Sequence, residues 1–324
     1  MSKNRFKKIF EDFSEKNILV IGDLMLDTYL WGHSDRISPE APVPIIQVNK
    51  ISHTLGGAAN VALNLSSLGC KVSVVGLIGS DLEGDTLNKL LDKSNIISSS
   101  LVKSKDRPTT VKSRIMSQNQ QVLRTDREST EQLSSKLNSE LLNSVVSIID
   151  KVDGVILQDY NKGVLNTDSI INILTIAKKA GKPIYVDPKK NNFELYKGVH
   201  FFKPNLSEFR DYYGDYESLE VSGFELKKEL DFEILMITRS SEGVSLFVDT
   251  EHHHFPTKAR HVHDVSGAGD TVIATFALSD LCGASASEAV LISNFSAGRV
   301  CEEVGVVPIS LLMLKEMLTE PNSF

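Results

Sequence analysis

A chain of 324 residues that is 41% hydrophobic and 24% charged has globular composition and enough length for a full core. A net charge of −7 gives nucleic-acid binding no electrostatic support. Cys70, Cys282 and Cys301 are scattered, match no disulfide framework or metal spacing, and suit a reducing cytosol.

The N-terminal stretch up to Asn17 is charged and lacks an apolar h-region, so it is not a signal peptide. Phe6, Ile9, Phe10 and Phe13 share one helical face, and the acidic residues among them favour packing on the protein body over a membrane surface. No apolar run approaches membrane-spanning length. The expectation is a cytoplasmic protein with neither a membrane nor a nucleic-acid partner.

Residues 18–22 form a short apolar run with β-branched members and read as a buried strand, followed by Asp23 and Asp27. Ligands of open parallel sheets bind beyond strand C-termini, so both carboxylates are placed to accept hydrogen bonds from hydroxyls. Asp23 reads equally well as a turn cap. The segment Arg36-Ile37-Ser38-Pro39-Glu40-Ala41-Pro42-Val43-Pro44 forces extended backbone between strand-like runs. With residues 109–117 and 121–125 it predicts a small sheet off the main body, with strands within 28–49 and 109–126. Such a sheet reads as a lid or a dimer contact. Gly56-Gly57-Ala58-Ala59-Asn60 opens a helix through Val61, Leu65 and Leu68, where the glycine pair serves either a ligand's approach or a tight turn. Residues 72–76 read as a strand and 82–92 as a helix.

From residue 129 the pattern becomes regular: a long helix to about 150, strand 154–158, helix 167–180, and strands 184–186 and 200–203. A helix then begins near Asn205, and strand 234–238 follows. Alternation of this kind predicts right-handed crossovers and an α/β fold with a mostly parallel sheet, as one domain over 1–324. Residues 245–248 and 252–255 read as an antiparallel hairpin. Adjacent side chains on a strand point to opposite faces, so His252-His253-His254 reads as a solvated edge rather than a metal site. A last helix spans about 285–302.

Polar signals gather at the predicted strand ends. Asp187-Pro188-Lys189 offers a point charge for a phosphate. Asn205 and Glu208, three apart, read both as a helix cap and as a pair that orients the water shell of Mg²⁺. Thr238, Ser240 and Gly243 are small residues suited to a nucleotide. Asp264-Val265-Ser266-Gly267-Ala268-Gly269-Asp270 opens an apolar helix. The free amides of a helix start favour an anion, and Asp270 beside it is placed to take a proton from a hydroxyl. Val272 stands where a dinucleotide fingerprint needs glycine, and no Gly-Lys-Ser/Thr P-loop occurs.

These motifs resemble the ribokinase-like (PfkB) carbohydrate kinase family over nearly the whole length. Asp264 to Asp270 is similar to its C-terminal signature, with Ser266 where threonine is usual. Gly56 to Asn60 is similar to its N-terminal glycine motif, and Asn205 to Glu208 to its magnesium motif. The resemblance implies ATP and Mg²⁺ as cofactors, a ribokinase-like sheet with helices on both faces, and a small β-sheet lid. It makes Asp270 the catalytic base and Gly267, Ala268 and Gly269 the anion hole. Asp23, Gly57 and Asn60 then bind sugar hydroxyls, while Ser240, Gly243 and Asn294 line ATP, with Thr238 and Asp264 on the same side.

Within the family, the stretch 36–44, Asp27, Asn119-Gln120-Gln121 with Arg124, and Gln158-Asp159-Tyr160-Asn161-Lys162-Gly163 resemble the heptose 7-phosphate kinases. That implies phosphorylation of the sugar phosphate at C1 by a single-function kinase. Asp27, Gly56, Arg114, Asn119, Gln120, Arg124, Asp159, Lys162 and Lys189 join the expected substrate contacts, and the lid sheet is expected to pair two copies. The stretch 304–308 is shorter than usual, which affects the adenine-side wall. The rival expectations are another kinase of the family, acting on a fructose phosphate or nucleoside, and a non-catalytic sensor on the same fold.

Overall fold

The computed structural model describes residues 3–118, 120–257, 262–303 and 305–319. Its main sheet begins at one edge with Lys71–Val75, Asn17–Gly22 and Gly154–Gln158, and continues through Ile184–Asp187, Phe201–Phe202 and Ile234–Thr238. These six strands are parallel, so their C-terminal ends share one edge. Val244–Val248 and Glu251–Phe255 complete the sheet antiparallel.

The parallel strands are continuous apolar runs because both faces are covered. Ile18 and Val20 belong to a layer with Phe6, Val61, Leu65, Phe276 and Val290, while Leu19 and Ile21 belong to one with Leu141, Ile170, Ile173 and Phe209. The N-terminal helix Lys3–Glu11 buries Phe6, Ile9 and Phe10 on the body, as its pattern predicts. The helix Ala268–Leu281 is apolar on every side, and all residues from Asp270 to Ser279 are buried. An all-round apolar helix belongs inside. Phe276 stacks on Phe201 with ring centroids 3.9 Å apart, fastening this helix to the sheet.

The lid is a four-stranded sheet in the order Pro44–Gly57, Leu24–Ile37, Thr110–Ser117 and Gln120–Arg127. Its first strand starts directly after Asp23, four residues before the predicted boundary, and the second ends at Gly57, eight residues beyond it. The reason is that Leu24, Met25 and Leu26 are buried and carry no alternation, so one apolar run passes from the main sheet into the lid. The proline stretch forms the tip between the two lid strands, closed by Ser38 donating its amide to Val43 O at 2.9 Å.

Two helix boundaries also differ from expectation. The predicted helix from 129 spans Ser135–Ile148, because Ser134 rather than an earlier residue caps Leu137. Leu219–Glu229, with little amphipathic contrast, escapes periodicity altogether. The triple histidine lies on the edge strand Glu251–Phe255, and the described residues contain no metal-holding group of three His, Cys, Asp or Glu. No helix among them is long and apolar enough to cross a membrane.

Candidate active site

Asp270 stands in the first turn of the central helix, after Gly267 at φ +81°. The left-handed turn lets the chain reverse into the helix, and a Cβ on Gly267 would lie 2.8 Å from Asn60 Nδ2. Asn60 Nδ2 donates to Asp270 Oδ2 at 2.8 Å. Tyr160 hydroxyl and Gln158 Nε2 donate to Oδ1 at 2.8 and 3.1 Å. Burial pushes the Asp270 carboxyl up to about 6, against the lowering effect of Asn60 and Tyr160.

Gln158 Nε2 also donates to Asp187 Oδ2 at 3.0 Å. Lys203 is buried and places Nζ 3.0 Å from the same Asp187 oxygen. Its Nζ lies 3.7 Å from where a Cβ on Gly269 would stand, so a positive charge sits beside the glycine turn. Within that turn, the amide of Ala268 donates to Val265 O at 3.2 Å.

A cavity opens at this carboxylate, lined by Asp27, Gly56, Gly57, Asn60, Gly267 and Asp270 together with Met25, Lys112, Arg114, Tyr160, Ser266 and Val306. Lys112 and Arg114 are two apart on a lid strand and share a face, with Asp27 opposite Lys112 in register. Arg114 Nη1 lies 3.2 Å from Asp27 Oδ2, while Asp27 Oδ1 is buried at the wall without a hydrogen-bond partner. Burial lowers the Lys112 ammonium, with Asp27 and Asp126 opposing. The glycine pair stands beside a cavity and at a constrained turn. It lines the cavity, and the backbone demands it: Gly57 has φ +57°, and a Cβ there would lie 2.5 Å from Asp23 O.

Other expected substrate contacts stand elsewhere. Asp23 is spent on the chain itself: its carboxylate accepts from the amides of Tyr160 and Lys162 at 2.9 and 3.0 Å and Val164 at 3.2 Å. It faces a separate small cleft with Arg107 and Lys162. Burial pushes it up to about 6, with Asp159 adding to the rise. Asp159 accepts from Asn192 Nδ2 at 2.7 Å and the Tyr196 hydroxyl at 2.8 Å, deep in the body. Lys162 pairs with Glu128 at 2.6 Å, and Arg124, on the exposed lid edge, with Asp126 at 3.0 Å. Gln120 is exposed on that same strand, and Asn119 lies outside the described residues. Lys189 pairs with Glu208 rather than lining the cavity. Lys112 and Tyr160 were not among the expected contacts; alternation from Arg114 points to Lys112, whereas Tyr160 stood out only as a member of the stretch 158–163.

Asn205 and Glu208 form a full capping box, each side chain accepting the other's amide at 2.9 Å. Thr238 is bridged to Asn205 across the sheet end, and the adjacent loop turns at Ser240 (φ +54°) and Gly243 (φ +90°). A Cβ on Gly243 would lie 2.0 Å from Phe255 O. Asn294 Nδ2 donates to Pro256 O at 2.7 Å, and Asp264 Oδ1 accepts the Ser266 amide at 2.8 Å. These residues therefore shape the loops around the strand ends.

A parallel sheet with a helix-borne carboxylate at its C-terminal edge and a β-sheet lid over it defines a ribokinase-like sugar kinase. The pfkB family carbohydrate kinases match residues 15–311, and the chain belongs to that family. It is 40% identical over 313 residues to the bifunctional protein HldE of Sulfurimonas denitrificans, covering 95% of this chain and 65% of that protein. It is 42% identical over 311 residues to the HldE of Helicobacter pylori strain G27, covering 95% and 67%. The chain thus spans about two thirds of the length of these relatives. Arabidopsis thaliana ribokinase, solved with ribose and ATP, shares the fold at TM-score 0.74 and 20% identity, covering 94% of this chain and 99% of that one. Escherichia coli phosphofructokinase-2 shares it at TM-score 0.77 and 14% identity, covering 94% and 98%.

The folded value near 6 for Asp270, above the ordinary 3.8, fixes the sign of a pH effect. Between those values the folded chain holds a proton that the unfolded chain has released. This stability is fully present at the acid side and lost as pH rises through about 6. Asp270→Asn removes the titration. Its unfolding free energy relative to the parent is predicted to rise by about 2–3 kcal/mol between pH ~4 and ~7. Urea unfolding at both pH values measures it, and a pH-independent difference would contradict the shift.

Proposed function

We propose that the protein transfers the γ-phosphoryl group of ATP to the C1 hydroxyl of D-glycero-β-D-manno-heptose 7-phosphate. The product, the 1,7-bisphosphate, is the kind of intermediate that supplies ADP-heptose for the lipopolysaccharide core. The observation carrying this reading is a single cavity in which the central helix supplies Asp270 and the lid supplies Lys112 and Arg114. A sugar phosphate needs both: an acceptor for the hydroxyl proton and cations for its own phosphate. The similarity of stretch 36–44 and of Gln158 to Gly163 to heptose 7-phosphate kinases supports the choice of sugar.

Asp270 acts as the base. A carboxylate offers about four acceptor sites; Oδ1 already accepts two hydrogen bonds and Oδ2 one, so Oδ2 has room for the sugar hydroxyl. The sugar oxygen bonds to the γ-phosphorus as its proton passes to Asp270. The bond from phosphorus to the β,γ-bridging oxygen breaks, and its electron pair leaves with ADP. The helix-start amides around Gly267 to Gly269 and the Lys203 ammonium receive the phosphoryl charge.

ATP lies along the strand ends marked by Asn205, Thr238, Ser240 and Gly243, with Asp264 and Asn294 holding the facing loops. Asn205 offers an amide oxygen and Glu208 a carboxylate, which the Lys189 ammonium and the Asn205 amide already engage. That set fits Mg²⁺ held through water, since the ion keeps several waters and takes the rest of its ligands from phosphates. When bound, it neutralises phosphate charge. Asp27, with one unpartnered buried oxygen, accepts a sugar hydroxyl or steadies Arg114.

We extend the reading to a homodimer through the lid. Ile37 and Ile51 are 64% and 57% exposed, Val122 and Leu123 lie with them on the same small sheet, and Val43 lies at its tip. Exposed apolar strands of this kind are an aggregation liability unless covered.

Four measurements test these statements. ATP turnover with purified protein is expected with heptose 7-phosphate and not with fructose 6-phosphate; the reverse result moves the protein to another sugar within the family. Asp270→Asn should lower kcat about 10²–10⁴-fold and leave ATP affinity nearly unchanged, and turnover within tenfold of the parent removes Asp270 from the mechanism. Lys112→Ala and Arg114→Ala should each raise KM for the sugar phosphate roughly 10–100-fold with little change for ATP. Sedimentation equilibrium should return twice the chain mass, and Ile51→Glu with Leu123→Glu should return one; a monomeric parent refutes the pairing.

A further inference from the structure

Tyr160 sits where the lid, the acceptor side and the nucleotide side meet. Its hydroxyl donates to Asp270 Oδ1 at 2.8 Å, and its ring faces the same cavity as Asp27 and Asn60. Lys112 Nζ of the lid lies 5.1 Å from the ring centroid, and Lys189 Nζ, paired to Glu208, lies 5.5 Å from it. Its own amide is held by Asp23 Oδ2 at 2.9 Å, which fixes the backbone that carries the ring. Two ammonium groups thus face the ring and Asp23 holds its backbone while its hydroxyl meets Asp270.

We propose that Tyr160 is the positioning residue of the base: its phenol turns and tunes the Asp270 carboxylate so that the remaining site on Oδ2 faces the sugar. The proposal rests on Asp270 being the base of the reading above. Oδ1 is filled by Tyr160 and Gln158, and Oδ2 carries only the bond from Asn60. Rotation of the carboxylate would break all three bonds, so the phenol helps hold one orientation. The phenol is held far above its ordinary value by burial and by Asp270 and Asp187 nearby. It therefore remains a donor across the working pH range. It stabilises the ionised carboxylate, opposing the burial that disfavours it. The other charges facing this pair are Asp187 and Lys203 at the strand ends and Lys112 and Lys189 over the ring. Lys112 links the base to the lid, so lid position is felt at the carboxylate through the ring.

The test is the pH profile of kcat/KM for Tyr160→Phe, which keeps the ring and its contacts with both lysines. Loss of one hydrogen bond to a charged acceptor should move the acidic limb up by about one pH unit. The deficit should approach tenfold in the acid and fade above about pH 8. The substrate's phosphate titrates identically in both proteins, so the difference belongs to the enzyme. Replacement of Tyr160 by 3-fluorotyrosine, a stronger donor, should move the limb down, and it decides the matter should the phenylalanine variant fail to fold. An unmoved limb with a uniform loss at every pH overturns the proposal. Asp270→Asn assayed alongside separates the two ideas: an active Asp270→Asn defeats the base, whereas an inactive one with unmoved limbs for both Tyr160 replacements defeats only the role of Tyr160.

Discussion

The burial of one carboxylate organises this molecule. Asp270 is almost fully removed from water, which disfavours its ionised form. Three donors and the positive end of a helix offset that cost. Each donor belongs to a different element: Asn60 to the helix Ala58–Ser67, Gln158 to a strand end, and Tyr160 to the loop after it. The carboxylate therefore fixes how these elements sit together. Gln158 shows the strength of the demand. Its amide aims both donors' worth of attraction at two carboxylates, Asp270 and Asp187, and leaves its own Oε1 buried without a partner.

Asp23 does for the neighbouring loop what Asp270 does for the helix. It gathers the amides of Tyr160, Lys162 and Val164, bending the segment after the strand Gly154–Gln158 into a tight arc. The arc passes close to other backbone, for a Cβ on Gly163 would lie 2.0 Å from Glu131 O. Asn161 accepts a positive φ in the same arc. The carboxylate, read from sequence either as a sugar contact or as a turn cap, holds the loop carrying Tyr160 in one shape. One acid, after a strand, holds the loop, and the other, in the first turn of a helix, holds its neighbours and faces the cavity.

The lid joins the body through continuous backbone. Its first strand grows directly from Asp23, and its second runs into Gly57 and the helix of Asn60. Lys112 and Arg114 therefore hang from a sheet whose roots touch the same residues that hold the base. In the proposed function, placement of the substrate's phosphate and alignment of the proton acceptor would share one set of supports.

The sequence determined the parallel sheet, the strand ends and the glycine turn before Asp270, because these follow from local rules: apolar runs, helix starts and the φ freedom of glycine. It also determined the capping box of Asn205 and Glu208, whose partners lie three residues apart. It left open whether Asp23 and Asp27 do the same work, and only the tertiary structure separated them. Asp23 meets amides some 140 residues away, whereas Asp27 meets Arg114 and the cavity. Lys203 had no signal of its own and Tyr160 only its place in the stretch 158–163, since nothing local fixes the role of a tyrosine or lysine after a strand. Their meaning comes from Asp270 and Asp187, contacts that close only when distant strand ends are brought to one edge of the sheet.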